Sequence, residues 1–151
     1  MTATEPTMAE IFDLLERRFG GRAAAIVRLR AFVDWLGQQL PEDSSDPWAV
    51  ALRRPDVAVT FVDDLEGCNA LVERHAGPRY RVLLPDTANG QCELTSTELL
   101  AHELGHVDLN LFPAWSDESR EAVAERERTV DLYAAERYGQ PRLAERQTIP
   151  V

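Results

Sequence analysis

Residues Thr95-Ser96-Thr97-Glu98-Leu99-Leu100-Ala101-His102-Glu103-Leu104-Gly105-His106-Val107-Asp108-Leu109-Asn110-Leu111-Phe112 read as one helix around which the rest of the chain is organised. Thr95 with Glu98 three residues later is a capping box set directly before an apolar run, so the helix starts near Ser96. Leu100, Leu104, Val107 and Leu111 recur at helical spacing and anchor it in a core, and Pro113 ends it. His102 and His106 lie on an adjacent strip with Leu99 and Leu109. Four residues at the helical rise place the two histidines about 6 Å apart along the axis and on one face, so both imidazoles reach a single ion. Zinc accepts such a pair readily. Glu103, beside them, is placed to take a proton from a water whose pKa the metal lowers to about 7.

A catalytic zinc site has three protein ligands and one open position. The metzincin extension of the motif is excluded, because Leu109 stands where it needs glycine and Phe112 where it needs a third histidine. The third ligand therefore comes from further along. A long polar helix is expected from about Asp117 to Tyr138, before Gly139 and Pro141. In it Val123, Glu127, Val130 and Ala134 step by four, three and four, which puts a carboxylate inside the apolar stripe of an otherwise charged segment. A buried Glu127 needs a cation, and zinc supplies it. Glu121, Glu125 and Glu136 fit a solvated face. Asp131 shares the inward face with Glu127 one turn on, where it suits the free ring nitrogen of a ligand histidine.

The N-terminal third reads as helices. Thr7 and Glu10 cap a run of Met8, Ile11, Phe12, Leu15 and Phe19 that stops at Gly20-Gly21. A second helix spans Arg22 to Leu40, with Ile26, Leu29, Val33, Leu36 and Leu40 on one stripe and Pro41 after it. Asp46 before Pro47 caps a short helix to about Arg54. Between Asp56 and Pro85 the pattern becomes β-like, with strands expected at Val57 to Val62, Ala70 to Val72 and Tyr80 to Leu84. The fold class is α+β: N-terminal helices, a small antiparallel sheet, the histidine helix and a C-terminal helix holding the third ligand, in a single domain over 1–151.

Twenty-six acidic against sixteen basic residues give a net charge of -10, which repels phosphate backbones and anionic lipid surfaces. Direct nucleic-acid binding and membrane association are not expected. No apolar run is long enough to span a bilayer and Met1 to Thr7 has no signal-peptide character, so the expected compartment is the cytoplasm. Cys68 and Cys92 lie too far apart for a zinc pair and read as free thiols.

The stretch Leu99 to His106, followed by Glu127-Arg128-Thr129-Val130-Asp131-Leu132-Tyr133-Ala134, resembles the ImmA/IrrE family of small gluzincin-type metallopeptidases. The order of elements from Val57 to Gly139 is similar too, including the strand at Arg81 to Leu84 ahead of the motif helix. The resemblance implies zinc on His102, His106 and Glu127, Glu103 as general base, and an intracellular protein substrate, such as a repressor or other regulator. At Asn110, many members of the family carry a further histidine, and the helix-turn-helix module often joined to the peptidase is not recognisable in these residues.

Other residues carry two readings each. Tyr133 and Tyr138 are candidate donors to a developing oxyanion, or packing residues. Cys92, just ahead of the motif helix, is a candidate inhibitory thiolate at the metal's open position, or a small buried residue. His75 reads as a solvated histidine in a turn beside Gly77 and Pro78. At the level of function, metal-assisted hydrolysis of a peptide bond stands against a zinc-stabilised module that binds a regulator without cutting it, and against a partner-binding domain with no metal. The first two part at Glu103, which hydrolysis needs and metal retention does not.

Overall fold

The computed structural model describes residues 8–36, 45–62, 70–75, 79–85, 94–112 and 119–147. These form α1 (Met8–Phe19), α2 (Arg22–Leu36), α3 (Pro47–Arg53), β1 (Val57–Val62), β2 (Leu71–His75), β3 (Arg79–Pro85), α4 (Ser96–Leu109), α5 (Arg120–Arg137) and α6 (Pro141–Glu145). The architecture is α+β. Thr7, Leu40, Cys68, Cys92, Pro113 and Asp117 lie outside the described residues. Among the described residues no helix is long and apolar enough to cross a membrane.

The helix starts follow local chemistry. Asp46 accepts from the amides of Trp48 and Ala49 at 3.0 and 3.4 Å and caps α3, with Pro47 in its first turn. At α4 the capping box is complete: the Glu98 amide donates to Thr95 Oγ1 at 3.1 Å, and the Thr95 amide to Glu98 Oε1 at 2.9 Å. Ser119 Oγ accepts from the Ala122 amide and caps α5. Gly20, at φ 78°, takes the left-handed turn that ends α1, and its amide returns to the Glu16 carbonyl.

Two helix ends differ from the sequence reading. α4 stops at Leu109, short of Pro113, because Asn110 adopts φ 54° and the amides of Asn110 and Leu111 fold back onto the carbonyls of Val107 and His106. Asparagine tolerates this left-handed position better than most residues. After α5, Gly139 at φ 64° redirects the chain, and Pro141 opens α6 instead of merely ending α5.

The sheet is mixed, not antiparallel: its order is β1-β3-β2, with β2 antiparallel and β1 parallel to β3. The short step from β2 to β3 enforces a hairpin, whereas the longer path from β1 leaves it free to pair with the far edge of β3. Burial agrees with that order. Val82 and Leu84 of central β3 are fully buried, while Leu71 of edge strand β2 is 44% exposed. β2 also runs further than expected, through Glu73 opposite Arg81 and Arg74 opposite Tyr80, so His75 is its last residue, opposite Arg79, and not part of a turn.

Phe12 of α1, Trp48 of α3 and Phe61 of β1 stack on one another, with the Phe12 and Trp48 rings 4.6 Å apart. Trp48 donates its indole N–H to Thr97 Oγ1 at 2.9 Å, which ties this aromatic cluster to the start of α4. α4 itself packs against α3, α5, α6, β2 and β3, and every residue from Glu98 to Val107 is buried. Full burial of Leu100 and of Leu104 contributes about 1.5–3 kcal/mol each. The helix carrying the histidines is thus the central element of the molecule.

Candidate metal centre

A helix buried on all sides must give each of its polar side chains a partner. His102, Glu103 and His106 are 7%, 5% and 6% exposed, deeper than an amphipathic reading of α4 implies. α5 crosses α4 where Gly105 has no side chain: a Cβ there would lie 2.9 Å from Val130 Cγ1 and 3.3 Å from the Val130 carbonyl oxygen. That close approach brings Glu127 and Asp131, which flank Val130 on α5, against the two histidines.

The Nε2 atoms of His102 and His106 face each other at 3.2 Å. Glu127 places Oε2 2.8 Å from His102 Nε2 and Oε1 3.5 Å from His106 Nε2. The outward nitrogens are engaged by acceptors: His102 Nδ1 by Asp131 Oδ1 at 2.7 Å, and His106 Nδ1 by the Leu111 carbonyl at 2.6 Å. A carboxylate and a carbonyl can only accept, so each Nδ1 carries the proton and, in the neutral ring, each Nε2 lone pair points inward. Two lone pairs and a carboxylate converging on one point repel unless a proton on one ring or a metal cation lies among them. Four-coordinate zinc with ligand bonds of about 2.0–2.1 Å spaces its donor atoms about 3.3–3.4 Å apart. The two Nε2 atoms, 3.2 Å apart, have close to that spacing, and a Glu127 oxygen completes a set of three donor atoms within 4.8 Å of one another. The group can hold a metal ion.

The electrostatics have the same cause. Burial works against charge on His102, but hydrogen bonds with Asp131 and Glu127 outweigh it and raise its pKa to about 9. His106 is also raised, burial being outweighed by Glu127 and the Leu111 carbonyl. Burial raises Glu127 and Asp131 too, yet the imidazoles, joined at Asp131 by Arg146, hold both carboxylates below their usual range. Burial pushes Glu103 above its usual range, against the pull of the two histidines.

Asp131 is fully buried and also receives Arg146 Nε at Oδ2 and Nη2 at Oδ1, at 2.7 and 2.9 Å, and the Gln147 side-chain amide at Oδ2. Glu127 differs from the expectation of a buried carboxylate. Its side chain is 37% exposed, and Val123, expected on the same stripe, is 37% exposed as well. Residues 120–125 are all exposed, so the covered part of α5 begins at Arg126 and Glu127 and continues through Val130 and Ala134. The carboxylate therefore lies between the buried imidazoles and solvent, which opens the group on that side. Glu121 and Glu125 are on the exposed surface.

The tyrosines are engaged elsewhere. Tyr133 donates to Asp108 Oδ2 at 3.0 Å, and Tyr138 donates to the same oxygen. Asp108 lies two residues past His106, about 200° around the helix from it. Arg54 Nη1 reaches the other oxygen of Asp108 at 2.8 Å, and burial together with this carboxylate pushes both phenols above their usual pKa. The two hydroxyls thus brace α4 against α5 while Arg54 ties it to the end of α3, and neither hydroxyl is directed at the histidine pair.

Compared with protein-family models, curated proteins and solved structures, the chain matches none. The residues that a sequence reading misses are Gly105, Asn110, the Leu111 carbonyl, Arg146 and Gln147. Gly105 carries a signal, since glycine inside a helix costs about 1 kcal/mol and so calls for a packing reason. Arg146 and Gln147 carry none, because they act 15 and 16 residues away in sequence through a contact only the fold creates.

Proposed function

We propose that the chain is a zinc-dependent peptidase of the ImmA/IrrE type that hydrolyses a peptide bond in an intracellular protein, a repressor or other regulator. The observation that carries this reading is the set of inward-facing donors on His102, His106 and Glu127 with Glu103 buried on the same helix. Held by those three residues, zinc would polarise a scissile carbonyl and acidify water. Glu103 is the base of the reaction. Its raised pKa suits a group that takes a proton from water and passes it to the leaving amine. Asp131 and the Leu111 carbonyl keep the imidazoles in the tautomer that presents Nε2. The half-exposed Glu127 marks the side from which a peptide reaches the centre.

Metal analysis and a trapping variant test this together. The purified chain is expected to hold about one zinc and to lose thermal stability on chelation, because metal bound to the folded state alone stabilises it. Glu103→Gln should keep the zinc, abolish cleavage and retain a cross-linkable protein partner for identification by mass spectrometry. His102→Ala and His106→Ala should lose the metal. A chain without stoichiometric metal refutes the proposal. A zinc-loaded wild type that binds its partner and leaves it uncut refutes the peptidase and favours the non-cleaving module.

A further inference from the structure

The segment after α5 completes the environment of one histidine. Arg146 sets its guanidinium across both oxygens of Asp131, Nε on Oδ2 at 2.7 Å and Nη2 on Oδ1 at 2.9 Å, and Gln147 adds its amide to Oδ2. Oδ1 is the oxygen that also holds His102 Nδ1 at 2.7 Å. A carboxylate gripped in this two-pronged way cannot turn about its terminal bond. The ring that it holds is then fixed in angle as well as in tautomer. Asp131 is fully buried, so water does not substitute for either prong, whereas the Arg146 side chain is 31% exposed.

α6 has a second tie to α4 that does not pass through Asp131. Arg142 Nη1 lies 3.2 Å from Glu98 Oε1, in the capping box at the start of α4, and Leu143 is fully buried in the common core. The docking of α6 and the grip on Asp131 therefore rest on different residues. The two roles can be separated by substitution.

We propose that Arg146, supported by Gln147, is a positioning residue for the metal centre, which sets the direction of His102 Nε2 through Asp131. The inference rests on the reading of His102, His106 and Glu127 as metal ligands. Removing the arginine leaves a buried carboxylate held only by the imidazole at Oδ1 and the Gln147 amide at Oδ2, without the fork that locks its plane, and the His102 lone pair is less firmly aimed at the point shared with His106 and Glu127. Lysine restores the charge but not the fork, so it recovers the effect only in part.

The test is zinc affinity, measured by chelator competition on the full chain, for the wild type and for Arg146→Ala, Arg146→Lys, Gln147→Ala and Arg142→Ala. Cobalt(II) absorption spectra report ligand geometry alongside. Arg146→Ala is expected to weaken zinc binding about 10-fold to 100-fold, the usual effect of losing a group that orients a ligand. Its cobalt spectrum should shift while circular dichroism stays that of the wild type. Arg146→Lys should fall between the two, and Arg142→Ala, which removes the tie of α6 to Glu98 and leaves the grip on Asp131, should bind zinc and cobalt as the wild type does. Unchanged affinity and spectrum in Arg146→Ala overturn the proposal, as does an equal loss in Arg142→Ala. If Arg146→Ala fails to fold, Arg146→Lys and Gln147→Ala decide, and wild-type affinity and spectra in both overturn it. A wild-type chain that binds no zinc is a separate result and overturns the metal centre itself.

Discussion

Gly105→Ala tests whether the proposed metal centre depends on the closeness of α4 and α5. The added methyl would meet Val130 Cγ1 at 2.9 Å, the Val130 carbonyl oxygen at 3.3 Å and Ala134 Cβ at 3.5 Å. Carbon atoms in contact sit about 3.5–4.0 Å apart, so α5 must retreat by about 0.6 Å or more. Val130 cannot swing aside, being fully buried and β-branched in a helix, where one rotamer dominates. Overpacking of this kind costs about 1–3 kcal/mol, and replacing glycine inside a helix returns about 1 kcal/mol. The expected net loss of stability is therefore small, about 0–2 kcal/mol.

Zinc affinity should respond more. Glu127 and Asp131 ride on the same stretch of α5 as Val130, and zinc sites hold their distances to about 0.2 Å. A shift about three times that tolerance should weaken zinc binding about 10-fold to 100-fold, equivalent to about 1.4–2.7 kcal/mol. The thermal stabilisation from saturating zinc should shrink by a corresponding amount. Chelator-competition titrations and melting curves with and without zinc give both quantities. Adding Val130→Ala removes the tightest contact, and the double variant should regain part of the affinity. A Gly105→Ala chain that melts at or above the wild-type temperature with unchanged zinc affinity would refute the reasoning, since the helices would then have room to spare.

Asn110→Gly should keep the left-handed end of α4 and the zinc affinity, whereas Asn110→Ile should cost about 1–2 kcal/mol and draw the Leu111 carbonyl away from His106. Melting curves and zinc titrations compare them, and equal behaviour of the two variants counts against the carbonyl's role. Among the α5 carboxylates, Glu127→Ala should weaken zinc binding most, Asp131→Ala about 10-fold to 100-fold, and Glu125→Ala not measurably. A titration ranking led by Glu125 would mean that another register of α5 faces the histidines. Hydrogen bonds from Arg54 outweigh burial and hold Asp56 below the usual carboxylate pKa. Their contribution is thus present above that usual value and lost as pH falls through the lowered one. Both partners are over a quarter exposed, so the difference in stability between wild type and Asp56→Asn should stay within about 1 kcal/mol near neutrality and shrink in acid, as urea unfolding at several pH values would show.

What could be read from the sequence is what depends on spacings of three and four. Thr95 with Glu98, Asp46 with the amide of Ala49 and His102 with His106 are such relations, and each has the geometry its spacing implies. The sheet was not readable in this way, because pairing follows the length and path of the connections. The short link from β2 to β3 fixed one pair, and nothing in Val57 to Val62 indicates that its partner is the third strand and not the second. Glu127 was half readable. Its periodicity with Val130 and Ala134 placed it on the inward face, but periodicity does not tell where along a helix the covering structure ends, and α5 is uncovered from Arg120 to Glu125.

The deeper limit comes from the burial of α4. A helix with two histidines, two glutamates and an aspartate would ordinarily show those groups to water, yet Glu98 to Val107 are all enclosed. Enclosure is helped by partners for most of the polar groups: Glu98 with Thr95 and Arg142, His102 with Asp131 and His106 with Leu111, while Asp108, at the rim, has Arg54 and the two tyrosines. An unpartnered polar group there would cost about 1–3 kcal/mol, so each pairing is enforced by the same packing that buries Leu100 and Leu104. The imidazoles consequently have their directions set by the fold, with Nδ1 outward and Nε2 inward, before any ion arrives. A loosely held pair of histidines would have to be ordered at the expense of metal affinity. This pair has met that cost in folding, and for that reason substitutions that touch no ligand, at Gly105, Asn110 and Arg146, are expected to register in the affinity for zinc.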